Sequence, residues 1–236
     1  MTLKHFKSKD RGYANHGWLK SYHTFSFADY YNPNQMNFGA LRVLNDDIVA
    51  PKMGFGTHPH KNMEIISIPL KGALSHKDNM GNKRAIEENE VQVMSAGTGL
   101  THSEFNDSQT DDVNFFQLWI IPEFQDVKPR YEQKKFDRVE DQIQLMVTPR
   151  DDKHTNTLWI NQKAYISKAS FNTVNSLNYN LHNAKNGVFA MVIRGEVVCN
   201  DLVLNERDAV GVWETNKVNF KSKGSSEILI IEVPML

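Results

Sequence analysis

A chain of 236 residues with 40% hydrophobic content can bury a substantial core, as one large β domain or as two domains of about 100–120 residues each. Its 27 lysines and arginines balance 28 aspartates and glutamates in an interspersed pattern, which excludes a bulk electrostatic attraction to nucleic acid. The single cysteine, Cys199, excludes an internal disulfide, suits a reducing compartment and leaves any metal to nitrogen and oxygen donors.

The opening segment, Met1–Tyr13 (MTLKHFKSKDRGY), has no apolar stretch, so no secretion signal is expected and a cytoplasmic location follows. Beyond it, helical patterns are scarce. Short runs rich in Val, Ile and Phe recur between Gly, Asn and Asp: Phe38–Leu44, Ile65–Leu70, Glu90–Met94, Phe115–Ile121, Ile143–Val147, Val188–Ile193, Glu196–Cys199, Val210–Trp213, Val218–Phe220 and Glu227–Val233. This spacing predicts an all-β chain of sandwiches or barrels. The longest apolar runs, such as Ile228–Ile231, are far too short to span a bilayer, so no membrane partner is expected. Asn79–Asn82 and Lys223–Ser226 read as loops, and Asp151–Thr157 as an exposed loop. The stretches IPLKG and MVIRG, ending at Gly72 and Gly195, suggest a repeat with one β unit per half. The polar segment Pro129–Asp141 then carries the boundary, dividing the chain at 1–135 and 136–236.

Two clusters carry chemistry. In GTHPHKNME (Gly56–Glu64), an extended backbone would put His58, His60, Asn62 and Glu64 on one face, and Pro59, with no N–H to donate, marks a strand start or edge. In AGTGLTHSEFN (Ala96–Asn106), His102 and Glu104 share a face in the same way, after a tight turn permitted by Gly97 and Gly99. Either pair alone is an ordinary surface feature. Together they offer three imidazoles and a carboxylate, with Glu64 in reserve, a donor set suited to Fe, Mn, Co, Ni or Cu and less selectively Zn. His5, His16, His76, His154 and His182 lack partners at ligand spacing and read as surface or structural histidines.

These clusters resemble the cupin pattern of HxH, then E and G, then PxG followed by H and N. The chain departs from it by one residue before Gly72 and by Gly97 in place of proline. More narrowly, HTFSFADYYNP (His23–Pro33), FGALRVLNDD (Phe38–Asp47), GFGTHPHKNMEI (Gly54–Ile65), MSAGTGLTHSEFN (Met94–Asn106), QLWI (Gln117–Ile120) and PRYEQ (Pro129–Gln133) are similar to the pirin family of bicupins. Within it, the likeness is to bacterial pirin-like proteins that act as quercetin 2,3-dioxygenases. The resemblance implies two tandem cupin (double-stranded β-helix) barrels, with one ion in the first, held by His58, His60, His102 and Glu104. Glu64 would stand behind the ligands. Iron(II) is the ion expected, with copper, manganese, cobalt, nickel or zinc as alternatives. Aligning Gly195 on Gly72 sets Leu181, Asn183 and Gly187 opposite His58, His60 and Glu64, so the second barrel is expected to hold no metal.

The implied reaction is O2-dependent ring cleavage of a flavonol, or a related enol or catechol, with release of CO. Glu104 would be both ligand and proton acceptor, and Phe25, Phe27 and Phe55 would line the pocket, supported by His23. The implied partners are a small aromatic substrate and O2, acting on a monomer. The alternative the family offers is a metal- or redox-sensing regulator with a protein partner.

Overall fold

Strands buried on both faces set the architecture. In Glu64–Lys71, Val113–Ile120, Asn186–Arg194 and Ser226–Pro234 nearly every residue is buried, which requires cover on two sides. The computed structural model, which describes residues 1–152 and 154–235, supplies that cover with two mainly antiparallel barrels, each a seven-stranded sheet faced by a four-stranded one. Lys153, inside the expected loop Asp151–Thr157, lies outside the described residues. No helix among the described residues is long and apolar enough to cross a membrane.

The first large sheet runs Arg130–Lys135, Glu90–Ser95, Glu64–Lys71, Val113–Ile120, Leu41–Val49, Leu19–His23, Gly12–Asn15. The small sheet facing it runs Gly54–His60, Leu100–Asn106, Leu74–Asp78, Lys83–Ile86. The second large sheet runs Thr2–Phe6, Ala209–Trp213, Asn186–Arg194, Ser226–Pro234, Tyr165–Phe171, Gln142–Pro149, Leu158–Ile160, and its small partner runs Ser176–Asn180, Lys217–Ser222, Val197–Cys199, Leu202–Leu204. Apart from the outer edge strands, the connectivity is repeated strand for strand: the fold is a double cupin. Gly72 and Gly195, at φ 78° and 80°, close equivalent turns that a side chain would strain.

Two edges depart from simple tandem order. Part of the expected linker is itself a strand, because Arg130–Lys135 pairs along Glu90–Ser95. Thr2–Phe6 leaves the first barrel and pairs with Ala209–Trp213, Leu3 opposite Val212, so the start of the chain completes the second large sheet.

The largest apolar cluster lies between the barrels. The outer face of the first large sheet (Leu44, Ile66, Val93, Phe116, Leu118) packs against that of the second (Met146, Ile166, Phe189, Met191, Ile231). Polar bolts flank it. Arg11 and Arg207 both donate to Asp46, Arg207 also donates to Asn114 Oδ1 at 3.0 Å, and Arg130 sits 3.6 Å above the Trp159 ring. With both outer faces spent on this contact, the two barrel interiors are left to differ.

Candidate metal centre

The interior of the first barrel is layered. An apolar plug of Leu19, Val49, Leu74, Ile86, Val113 and Phe115 fills one end, and Ile65, Met94, Ala96 and Leu100 fill the other. Between them lies a cavity of about 580 Å³.

His58 and His60 reach this cavity from the edge strand Gly54–His60, where Pro59 costs no ladder hydrogen bond. Leu100–Asn106 pairs beside it and sets His102 directly opposite His58, with a register shift before Glu104. The turn into that strand depends on Gly97. At φ 47°, a Cβ there would lie 1.9 Å from the Val127 carbonyl oxygen.

Three imidazoles converge, with ring centroids 4.4 Å apart for His58–His102 and 4.9 Å for both His58–His60 and His60–His102. Their nitrogens lie within 4.8 Å of one another. His58 Nδ1 is 2.8 Å from the Gly56 carbonyl, which can only accept. That nitrogen therefore carries the proton, leaving Nε2 with a free lone pair. His102 is buried and neither ring nitrogen has a hydrogen-bond partner among the described residues. A cation would satisfy such orphaned acceptors. Burial and the neighbouring rings push His102 down to about 2 and His60 to about 4, so both are neutral at neutral pH.

Glu104, buried, comes close to this group through His102. The Ser67 hydroxyl donates to its Oε1 at 3.1 Å and Gln117 Nε2 to its Oε2 at 2.9 Å. Burial outweighs both bonds and raises its pKa to about 7. These donors fit a divalent cation: three imidazoles, one carboxylate and no thiolate.

The structure corrects three expectations. The shared face of His58, His60, Asn62 and Glu64 ends at His60, because Asn62 takes φ 50° and the chain turns into another sheet. Glu64 then faces the second barrel, accepting from Ser95 Oγ (2.7 Å) and Asn161 Nδ2 (3.0 Å). It forms part of neither ligand-spaced group among the described residues. His76, expected to lack partners, is buried with its nitrogen at ligand distance from His102 and Glu104, and its Nε2 is 3.3 Å from Asp78. Phe27 and Phe55 line the cavity as expected, but Phe25 is buried in the cluster between the barrels.

Sequence reasoning missed Ser67 and Gln117, which hold Glu104, and the cavity residues Trp18, Trp119, Asn45 and Asp47. Asp47 accepts from Ser21, and burial lifts it to about 7. The available signal was a lone polar residue at an inward position of an apolar strand, as in EIISIPL and VNFFQLWI.

The second barrel has the same interior positions and, among the described residues, no such site. Strand register, counted from the equivalent turns, places Tyr179 opposite His58 and Leu181 opposite His60, two residues from the gap-free alignment. Val218 and Phe220 stand where the first barrel has His102 and Glu104, and Cys199 where it has His76. Tyr179, Val218, Phe220 and Cys199 all belong to one closed apolar core, and burial pushes the Cys199 thiol up to about 12. At its rim the buried Glu232 carboxylate accepts from Tyr179, His182 and Asn186.

Comparison with known proteins gives consistent results across the chain. The pattern defining the family Pirin matches residues 6–120, and that of the Quercetinase C-terminal cupin domain matches residues 145–233. The quercetin 2,3-dioxygenase of Escherichia coli (strain K12) is 41% identical over 228 residues, covering 97% of both chains. A pirin-like protein of Caulobacter vibrioides is 38% identical over 224 residues, 94% of this chain and 95% of that one. The crystal structure of the bacterial pirin YhhW from Escherichia coli in complex with nickel(II) superposes with a TM-score of 0.94 at 38% identity, covering 100% of both chains.

Proposed function

The chain belongs to the pirin family, and from that premise we propose that it is a metal-dependent dioxygenase of the quercetin 2,3-dioxygenase kind. Its reaction is the O2-dependent opening of a flavonol, or a related enol or catechol, to a depside and CO. His58, His60, His102 and Glu104 would hold one divalent transition ion, iron(II) first among the candidates and nickel the one carried by the Escherichia coli relative. When bound, the ion supplies positive charge beside the enolic oxygen of the ligand and eases loss of its proton.

The remaining work falls to the protein. Glu104, the buried carboxylate beside the imidazoles, would receive the proton. Ser67 and Gln117 keep it aimed while it changes charge. Trp18, Phe27, Phe55 and Trp119 offer flat apolar walls that orient a planar ring and keep water from it. The observation that carries this reading is the meeting of His58, His60 and His102, with the buried Glu104 against His102, beside an aromatic-lined cavity. The experiment is incubation of iron-, copper- or nickel-loaded protein with quercetin under air and under argon, with CO as the readout. Oxygen-dependent CO is expected from the native chain and not from His102→Ala. Equal, background-level CO from both chains with every metal would remove the proposal.

A further inference from the structure

The strand Leu74–Asp78 ends in His76, Lys77 and Asp78, and the proposed reaction uses none of them. Alternation turns His76 and Asp78 to the barrel interior, where both are buried, and leaves Lys77 exposed. Register sets Asp78 opposite His102 and His76 opposite Glu104. The fold does not require polarity here. In the second barrel Cys199, Val218 and Phe220 stand at the positions of His76, His102 and Glu104, inside an apolar core.

Asp78 is anchored by its own turn. Its Oδ1 accepts from the backbone N–H groups of Met80 (2.9 Å) and Asn82 (3.0 Å), and its Oδ2 from Asn82 Nδ2 (2.8 Å). His76 Nε2 lies 3.3 Å from that Oδ2. A carboxylate can only accept, so Nε2 carries the proton of the neutral ring and Nδ1 keeps a lone pair. The Tyr131 ring lies against His76, with 4.7 Å between centroids, and limits its movement. His76 Nδ1 is buried without a hydrogen-bond partner among the described residues, as are both nitrogens of His102, whose ring centroid is 5.3 Å away.

These orphans answer one another. A histidine that ligates through one nitrogen carries its proton on the other, and that N–H needs an acceptor. His58 has one in the Gly56 carbonyl. For His102 the choice is narrow, because both oxygens of Glu104 and both of Asp78 already accept. His76, His102 and Glu104 each bring a donor atom within 4.8 Å of the others. We propose that His76 is a positioning residue: its Nδ1 accepts the N–H of His102 when His102 ligates, and Asp78 fixes the tautomer that allows this. A small turn of the His102 ring closes the bond. The unit His102–His76–Asp78 then decides which nitrogen of His102 faces the ion. The inference rests on the reading of His102 as a ligand.

The test is NMR of nitrogen-labelled protein loaded with zinc, a diamagnetic ion, together with zinc affinity from competition with a chelator. A nitrogen–nitrogen coupling across the hydrogen bond is expected between the His102 N–H and His76 Nδ1. Asp78→Asn keeps the shape and reverses the partner. Its Oδ1 stays with the backbone of Met80 and Asn82, so its NH2 group faces His76 Nε2 and drives the ring proton to Nδ1. That variant should lose the coupling and bind zinc about 10–100-fold more weakly, as should His76→Phe. Denaturant unfolding of the metal-free chains separates this loss from a loss of folding; if neither variant folds, the coupling in the native chain decides alone. A His102 N–H that couples to no nitrogen of His76 while His102 ligates would overturn the proposal. So would native zinc affinity in both folded variants. Zinc held without His102 would overturn the ligand set along with it. The coupling without CO release from the iron-, copper- or nickel-loaded chain would sink the dioxygenase reading and leave this inference standing.

Discussion

At neutral pH His60 and His102 can ligate without losing a proton, while part of the Glu104 carboxyl population must give one up. His60 and His102 are held neutral by burial, but Glu104, lifted to about 7, is largely protonated at pH 6 and largely ionised at pH 8. A cation needs the carboxylate, so binding displaces that proton. Nickel binding is thus expected to tighten as pH rises through about 7, releasing close to one proton per chain at pH 6 and far less at pH 8. Calorimetry in two buffers of different ionisation enthalpy measures this directly. Glu104→Gln should abolish the pH dependence of release. Gln117→Leu removes a donor to the ionised form and should move the midpoint to higher pH. Equal release at both pH values would show that Glu104 is not the group displaced.

At the scale of elements, the turn between Glu90–Ser95 and Leu100–Asn106 aims His102. Gly97→Ala would place a Cβ in the left-handed region against the Val127 carbonyl oxygen. A loss of about 1–3 kcal/mol in stability is expected, together with weaker nickel binding, read by denaturant unfolding and by titration. Unchanged values for both would mean that the turn relaxes freely. Elements also show what the sequence could disclose. Strands buried on both faces, such as Asn186–Arg194 and Ser226–Pro234, announce themselves as apolar runs. Leu19–His23 (LKSYH) and Ser176–Asn180 (SLNYN) do not, because they alternate polar with buried residues over only five positions. The ligand pairs were legible because a two-residue spacing survives in any extended strand. The break at Asn62 was not, because one left-handed residue between two strands leaves no periodic trace.

At the scale of the molecule, the two barrels share their largest apolar cluster. Separating them would expose both outer faces, so heating is expected to give one cooperative transition rather than two. Nickel at 100 times its Kd adds about 2.7 kcal/mol, and it should move the unfolding of both barrels together although it binds in one. Differential scanning calorimetry decides this: two peaks, only one of them shifted by nickel, would refute the coupling. Phe116→Ala, in the shared cluster, should lower the whole transition by about 3–5 kcal/mol. The repeat was visible in the sequence only as the stretches IPLKG and MVIRG, each ending in a turn glycine. The sequences that follow them differ because one interior holds His76, His102 and Glu104 where the other holds Cys199, Val218 and Phe220.

The pairing of Leu3 with Val212 has a consequence for how the chain is made. At 5–20 residues per second, a ribosome makes the first of these about 10–40 s before the second. During that interval the first barrel can close, while Thr2–Phe6 has no strand to join and Phe6 no core to enter. A bulky tag fused ahead of Thr2 would therefore interfere with the last step of maturation rather than the first. It would leave a nascent chain whose histidine-bearing half is already formed and whose other half still has an open edge.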